Sequence, residues 1–413
     1  MSDDKQPQQA SLPPFDPTQP HLLKPHLRRF IPQPGKQPDG TQVVCLTDPL
    51  RLHKQQMVVP VQAMPILAQF QGLQTVDEMA EKFGIPEANL QQLVMALEVH
   101  HLLWGPSFSE METAKKKQID AAGHMPRGAA FMLGEDGEAL RTQLAAWIAE
   151  AEDPELETSP TGLVVPHLDY HRGWPLYAAG YRAWADAPRP DRVIILGTNH
   201  HGIGDGVVGT RWNWETPLGI TNSDGDLMGE LNDRLGEGLF ADQLDHVPEH
   251  SIQLHLPWIQ QLFGDVPVSG FLLPDPLHPM ISDDGDRTSI DEFVKACQDA
   301  LESLGGTTYF VASSDLSHVG PQFGEPDPVD EERREAVEAH DREMLGAFIG
   351  GDSESFVTAM AGHQNCTNWC SIGNMSALLR LLGENRDLEL LEYRQAFDES
   401  NHWMVSASAC AVL

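Results

Sequence analysis

From about Arg127 onward the chain alternates near-continuous apolar runs with segments whose apolar residues recur at helical spacing. LVVPH (163–167), RVIILG (192–197), VPVSGFLLP (266–274) and TTYFVASSD (307–315) have the form of strands buried on both faces. Between and around them, GEALRTQLAAWIAEAED (137–153), LHLPWIQQLF (254–263), TSIDEFVKACQDALESL (288–304), DREMLGAFIG (341–350) and GNMSALLRLLG (373–383) read as helices. In the first of these Leu140, Leu144, Trp147 and Ile148 share one face. Strands separated by crossover helices predict an α/β domain over 127–413, with a mainly parallel sheet flanked by helices.

The pattern before Arg127 is different. Residues 1–38 are rich in Pro and Gln without apolar periodicity, which predicts a flexible tail. Residues 39–106 read as a strand pair (TQVVCL, QQMVVPV) followed by three helices. Thr75 and Glu78 form a capping box that opens the second helix, and Gly84 closes it. This α+β module resembles a small winged-helix unit. It carries more acidic than basic residues and its last helix presents no basic row, so a protein-docking role is expected rather than DNA reading. His100 and His101 at the end of that helix complement its negative terminus. Lys115 to Lys117 interrupt the apolar pattern and suggest a linker over 107–126.

Charge narrows the partners. Sixty-one acidic against 27 basic residues give a formal charge of −34, which repels phosphate backbones and anionic membranes. No apolar run approaches the roughly 20 residues that span a bilayer, and the N-terminus lacks the pattern of a secretory signal, so a cytoplasmic protein is expected. Five scattered cysteines, an odd number, argue against a disulfide framework.

In an open α/β sheet, ligands bind outside the carboxyl ends of the strands. Three of the predicted strands end in the same chemistry. The first ends in His167, Asp169 and His171; the second in Asn199, His200 and His201; the last in Asp315 and His318. A lone histidine is ordinarily a hydrogen-bonded structural residue, but three strand ends delivering His or Asp to one edge point to a metal or substrate site. Glu249 and His250 precede a helix expected near Ser251, where the carboxylate is a ligand, a general acid/base or a capping charge. Cys366 and Cys370 precede another helix, whose positive end favours a thiolate. The chain contains no GxSxG elbow, P-loop, GxGxxG or HEXXH motif.

Taken in order, VVPHLDYH, RVIILGTNHHG, WETPLG, EHSIQLHLPW, SSDLSHVGPQF and NCTNWCSIGN resemble the Memo family, whose bacterial members are called AmmeMemoRadiSam system protein B. The resemblance implies a fold like that of class III extradiol ring-cleaving dioxygenases. It also implies a pocket of two histidines and a cysteine, carried here by His167, His201 and Cys366, with Cys370 as the other candidate thiol. Asp315 and His318 match the family's Asp-x-x-His pair, and Glu249 and His250 its EHS block. The reading that follows is an Fe(II)-binding oxidoreductase-like protein, with copper as the alternative metal and an unknown small-molecule substrate. In it His318 and His250 move protons or position oxygen, and Asp315 and Glu249 orient their neighbours. A rival reading is a non-catalytic scaffold working with the radical SAM and AMMECR-type proteins that the system name implies. The sequence departs from the family pattern at Leu168 and Asp169, where a small Ala-Gly pair is usual, and at Thr367, which stands at the usual cysteine position with Cys366 one residue earlier; the family itself has cysteine where a dioxygenase has a carboxylate.

Overall fold

The computed structural model describes all residues except 1–11, 53–55, 129–131, 203–205, 278–286 and 384–385. The chain divides into two compact units, Met1–Ala121 and Ala122–Leu413.

In the first unit, three antiparallel strands, Ile31–Lys36, Gln42–Thr47 and Met57–Pro60, lie in sequence order. The expectation of a tail through residue 38 is therefore corrected: Ile31–Lys36 is an edge strand. Pro32 and Pro34 hid it, since proline lacks the N–H of a central strand but is tolerated at an edge. The stretch 107–126, read from sequence as a linker, contains the boundary between the two units and carries a helix, Pro106–Ala122, that buries Phe108 and Ile119. Helix Val76–Phe83 has the Thr75–Glu78 capping box, and Gly84 ends it in the left-handed conformation (φ 64°). Its Met79 joins Leu46, Phe70, Leu90, Val94 and Leu97 in one apolar core.

The second unit is built on an eight-stranded mixed sheet. Four neighbouring strands, Gly162–Val165, Thr308–Ser313, Arg192–Thr198 and Val268–Leu273, are parallel to one another. Their residues are buried almost throughout, as expected of strands covered on both faces. Antiparallel strands complete both sides, so the sheet is parallel at its centre and not mainly parallel overall. Val208–Gly209 pairs with Val268–Leu273, and Trp403–Val412 pairs with Gly162–Val165, Asp315–Val319 and Leu388–Asp398.

Helices Tyr170–Arg182, Ile290–Leu304, Glu331–Ile349, Ser353–Gly362 and Ile372–Leu382 cover the sheet, and Phe271, Phe293, Phe348, Phe356, Trp369, Met375 and Leu378 fill one continuous core. Two glycines permit close approaches that shape the site. A Cβ on Gly197 would stand 2.7 Å from Ser251 Oγ, so its absence lets the 249–252 turn lie against the strand. A Cβ on Gly373 would meet the Pro274 carbonyl at 2.3 Å, so the Ile372–Leu382 helix seats directly on the end of its neighbouring strand.

Candidate metal centre

Four chain segments converge at the carboxyl ends of the parallel strands. His167 follows Gly162–Val165, His200 follows Arg192–Thr198, His250 lies in the turn before helix Leu256–Phe263, and Cys370 precedes helix Ile372–Leu382. One ligating atom from each of His167, His200 and His250 lies within 4.8 Å of the others.

Each imidazole is held by its Nδ1. In His167 that atom lies 3.1 Å from Ser313 Oγ and 3.2 Å from the Ser313 carbonyl. Those of His200 and His250 lie 3.0 and 3.1 Å from Glu249 Oε1. The Glu249 carboxylate also accepts from the backbone N–H groups of His200 (2.9 Å), His250 (2.7 Å) and Ser251 (2.9 Å). A buried carboxylate with five donors is fully satisfied, and it leaves the Nε2 atoms of both histidines for the shared space.

The Cys370 thiol lies 3.5 Å from His167 Nε2 and within hydrogen-bonding reach of His200. Asp315 accepts the His167 backbone N–H at 2.9 Å through one oxygen and sits 3.5 Å from His167 Nε2 through the other. His318 turns its Nδ1 to the carbonyls of Leu316 (2.9 Å) and Asn368 (3.2 Å), which leaves Nε2 as an acceptor. Asn374 ties the site floor together, donating to Thr198 Oγ1 at 2.9 Å and to the Ser313 carbonyl at 2.7 Å.

These surroundings divide the charges. Burial, with His200 and His250 nearby, holds His167 well below the ordinary histidine range, so it is neutral. Burial also works against charge on His200, but the Glu249 carboxylate and Cys370 outweigh it and raise His200 well above that range. Glu249 shows the converse: burial opposes its ionisation, and the His200 charge and hydrogen bonds from both histidines prevail, holding it well below the carboxylate range. Burial pushes Asp315 up to about 6 and His318 down to about 4.

Of the trio carried over by resemblance, His167, His201 and Cys366, one residue belongs to this geometric group. His167 is in the cluster. At the second strand end the converging side chain is His200, and the His201 ring lies outside the group, its centroid 6.5 Å from that of His200. Near the C-terminal helix the thiol beside His167 belongs to Cys370, while Cys366 is exposed to solvent. Two further expectations change. His250 stands within the cluster itself, and the helix expected near Ser251 begins at Leu256, after a series of turns. Sequence reading gave no role to Ser313 or Asn374, and no local motif marks them.

Three imidazoles, a thiol and a carboxyl at the strand ends of a buried α/β sheet define a protein with a candidate metal centre in the usual ligand crevice of that architecture. The model of Memo-like proteins matches residues 124–411, and the chain belongs to the Memo family. It is 37% identical over 169 residues to a MEMO1 family protein of Pyrobaculum arsenaticum, a match that covers 41% of this chain and 57% of that protein. MEMO1 family proteins of Methanopyrus kandleri (27% over 271 residues) and Methanococcoides burtonii (29% over 254 residues) match 63% and 61% of this chain and 86% of their own lengths. Among the described residues no helix is long and apolar enough to cross a membrane.

Proposed function

We propose that this chain is a metal-binding, oxidoreductase-like protein in which His167, His200 and His250 hold an Fe(II) ion beside Cys370 and Asp315, with a small molecule as substrate. Copper is the alternative metal, because imidazole and thiol donors suit both. The observation that carries this reading is the grouping of the three histidines: each engages Nδ1 with a neighbouring oxygen, and one ligating nitrogen of each lies within 4.8 Å of the others. The donor set therefore fits the ion that the family resemblance implies. When bound, such an ion supplies Lewis-acid and one-electron chemistry.

The chain's own residues have separate tasks. His318, neutral at pH 7, accepts a proton at Nε2 because its Nδ1 is committed to two carbonyls. Asp315, with burial raising it to about 6, holds or releases a proton near neutrality beside the same cluster. Glu249 fixes two rings and stabilises the proton that His200 carries without metal, a proton that an ion at Nε2 would displace. Kinship with the extradiol dioxygenases supports chemistry on an oxygen-reactive small molecule.

Metal analysis of anaerobically purified full-length chain tests the proposal. The parent and the His201→Ala and Cys366→Ser chains are expected to carry iron, and His167→Ala and His200→Ala to lose it. A parent with neither iron nor copper, or His167→Ala and His200→Ala variants that bind as much as the parent, overturns it.

A further inference from the structure

A second group of metal-ligating side chains stands apart from the strand ends. His340 and Glu343 lie one turn apart on helix Glu331–Ile349, and His363 caps the end of helix Ser353–Gly362. One ligating atom from each lies within 4.8 Å of the other two. His363 Nε2 is 3.5 Å from Glu343 Oε1, and the His340 and His363 rings have centroids 5.1 Å apart.

An independent observation concerns His340. Its Nε2 is shielded from solvent and has no hydrogen-bond partner in the protein, an arrangement that costs free energy unless something fills the acceptor position. The alternative of a simple His–Glu ion pair accounts for Glu343 and His363 and leaves that nitrogen unexplained.

We propose that His340, Glu343 and His363 form a second site for a divalent d-block cation of the zinc class. Two imidazoles and one carboxylate are a common donor set for such ions, with the remaining position taken by water. Bonds of about 2.1 Å require ligand atoms roughly 3.4 Å apart, so the group must contract by about an ångström. Glu343 and His363, with side chains 62% and 40% exposed, are free to make that adjustment. Burial keeps His340 below the ordinary histidine range, so it is neutral and ready to ligate near pH 7.

The position gives the ion something to hold. It would pin one helix to the end of the next at His363, where the loop carrying Asn368 and Cys370 begins. That loop takes left-handed backbone at Gln364, Asn365 and Asn368 (φ 55°, 44° and 57°), conformations with little intrinsic preference to support them.

Zinc titration of the chelator-treated full-length chain, followed by calorimetry and native mass spectrometry, tests this. The parent is expected to bind one more Zn2+ than His363→Ala, and Glu343→Gln to weaken that equivalent at least tenfold. A His250→Ala chain, altered only at the strand ends, is expected to keep it. Both surface substitutions touch exposed side chains and leave folding intact, which circular dichroism verifies. If His363→Ala and Glu343→Gln bind the same number of zinc ions as the parent with unchanged affinity, the second site does not exist, whatever the strand-end cluster binds.

Discussion

Glu249 Oε1 meets Nδ1 of His200 at 3.0 Å with its carboxylate sealed from solvent. The same oxygen serves His250, so one side chain sets two of the three rings that converge.

Replacing Glu249 by Gln removes the charge and turns one carboxylate oxygen into an NH2 while keeping shape. Loss of a group that orients ligating histidines typically lowers metal affinity by about 10- to 100-fold. Titration with Fe(II) under argon is expected to show that drop in Glu249→Gln with an unchanged fold. Glu249→Ala should also cost about 3–5 kcal/mol in denaturant unfolding, since it strands three backbone N–H groups and a charged imidazole in the interior.

The two thiols near the C-terminal helix should behave oppositely. Cys366 is exposed, so a thiol reagent is expected to label it first and without effect on bound metal. Cys370, beside His167, should be protected by metal and released by chelation. Mass spectrometry of labelled peptides, with Cys366→Ser and Cys370→Ser as controls, distinguishes them; equal labelling of Cys370 with and without metal counts against its place at the centre.

Acid should weaken the fold through histidines that never titrate while it stands. Burial lowers His255 to about 3 and His246 to about 4, against 6.5 in an unfolded chain. A depressed histidine contributes stability that is complete above 6.5 and lost as pH falls from there toward the folded value, because only the unfolded state takes up the proton. From pH 7 to pH 5 each site therefore costs about 2 kcal/mol. Denaturant midpoints at the two pH values should show this loss, and His255→Phe should shrink it by about that amount. An identical pH slope in the variant refutes the assignment.

Asp341 joins three parts of the second unit. Its buried carboxylate accepts from Tyr393 (2.8 Å), Trp369 Nε1 (2.9 Å), Ser317 and Ser406, linking a helix, three strands and the loop that carries Cys370. Asp341→Ala is expected to destabilise by about 3–5 kcal/mol and Asp341→Asn by about 1–2 kcal/mol, read by denaturant unfolding. A loss under 1 kcal/mol in the alanine variant would show that the network contributes little.

The parallel strands and their helices were legible because period and length are local properties, and the strand-end rule then pointed to His167, Asp315 and the 199–201 segment. What escaped depends on backbone direction. Beyond Thr198 the chain leaves the sheet, so alternation no longer says whether His200 or His201 faces inward. Counting residues back from the C-terminal helix meets the same obstacle: Gln364 and Asn365 just before Cys366, and Asn368 between the two cysteines, take left-handed backbone that a residue count does not register. Ile31–Lys36 was hidden by its prolines, and Trp403–Val412 by its small residues (Ser406, Ala407, Ser408, Ala409), which give weak periodicity yet pack between neighbouring strands.

The strand that presents His167 pairs with Thr308–Ser313 on one side and Trp403–Val412 on the other, both made long after it during synthesis. Until the ribosome has delivered those segments, Gly162–Val165 lacks both of its neighbours and its apolar edges stay unpaired. The convergence of His167, His200 and His250 is thus among the last features to form, because it needs strands drawn from both ends of the second unit.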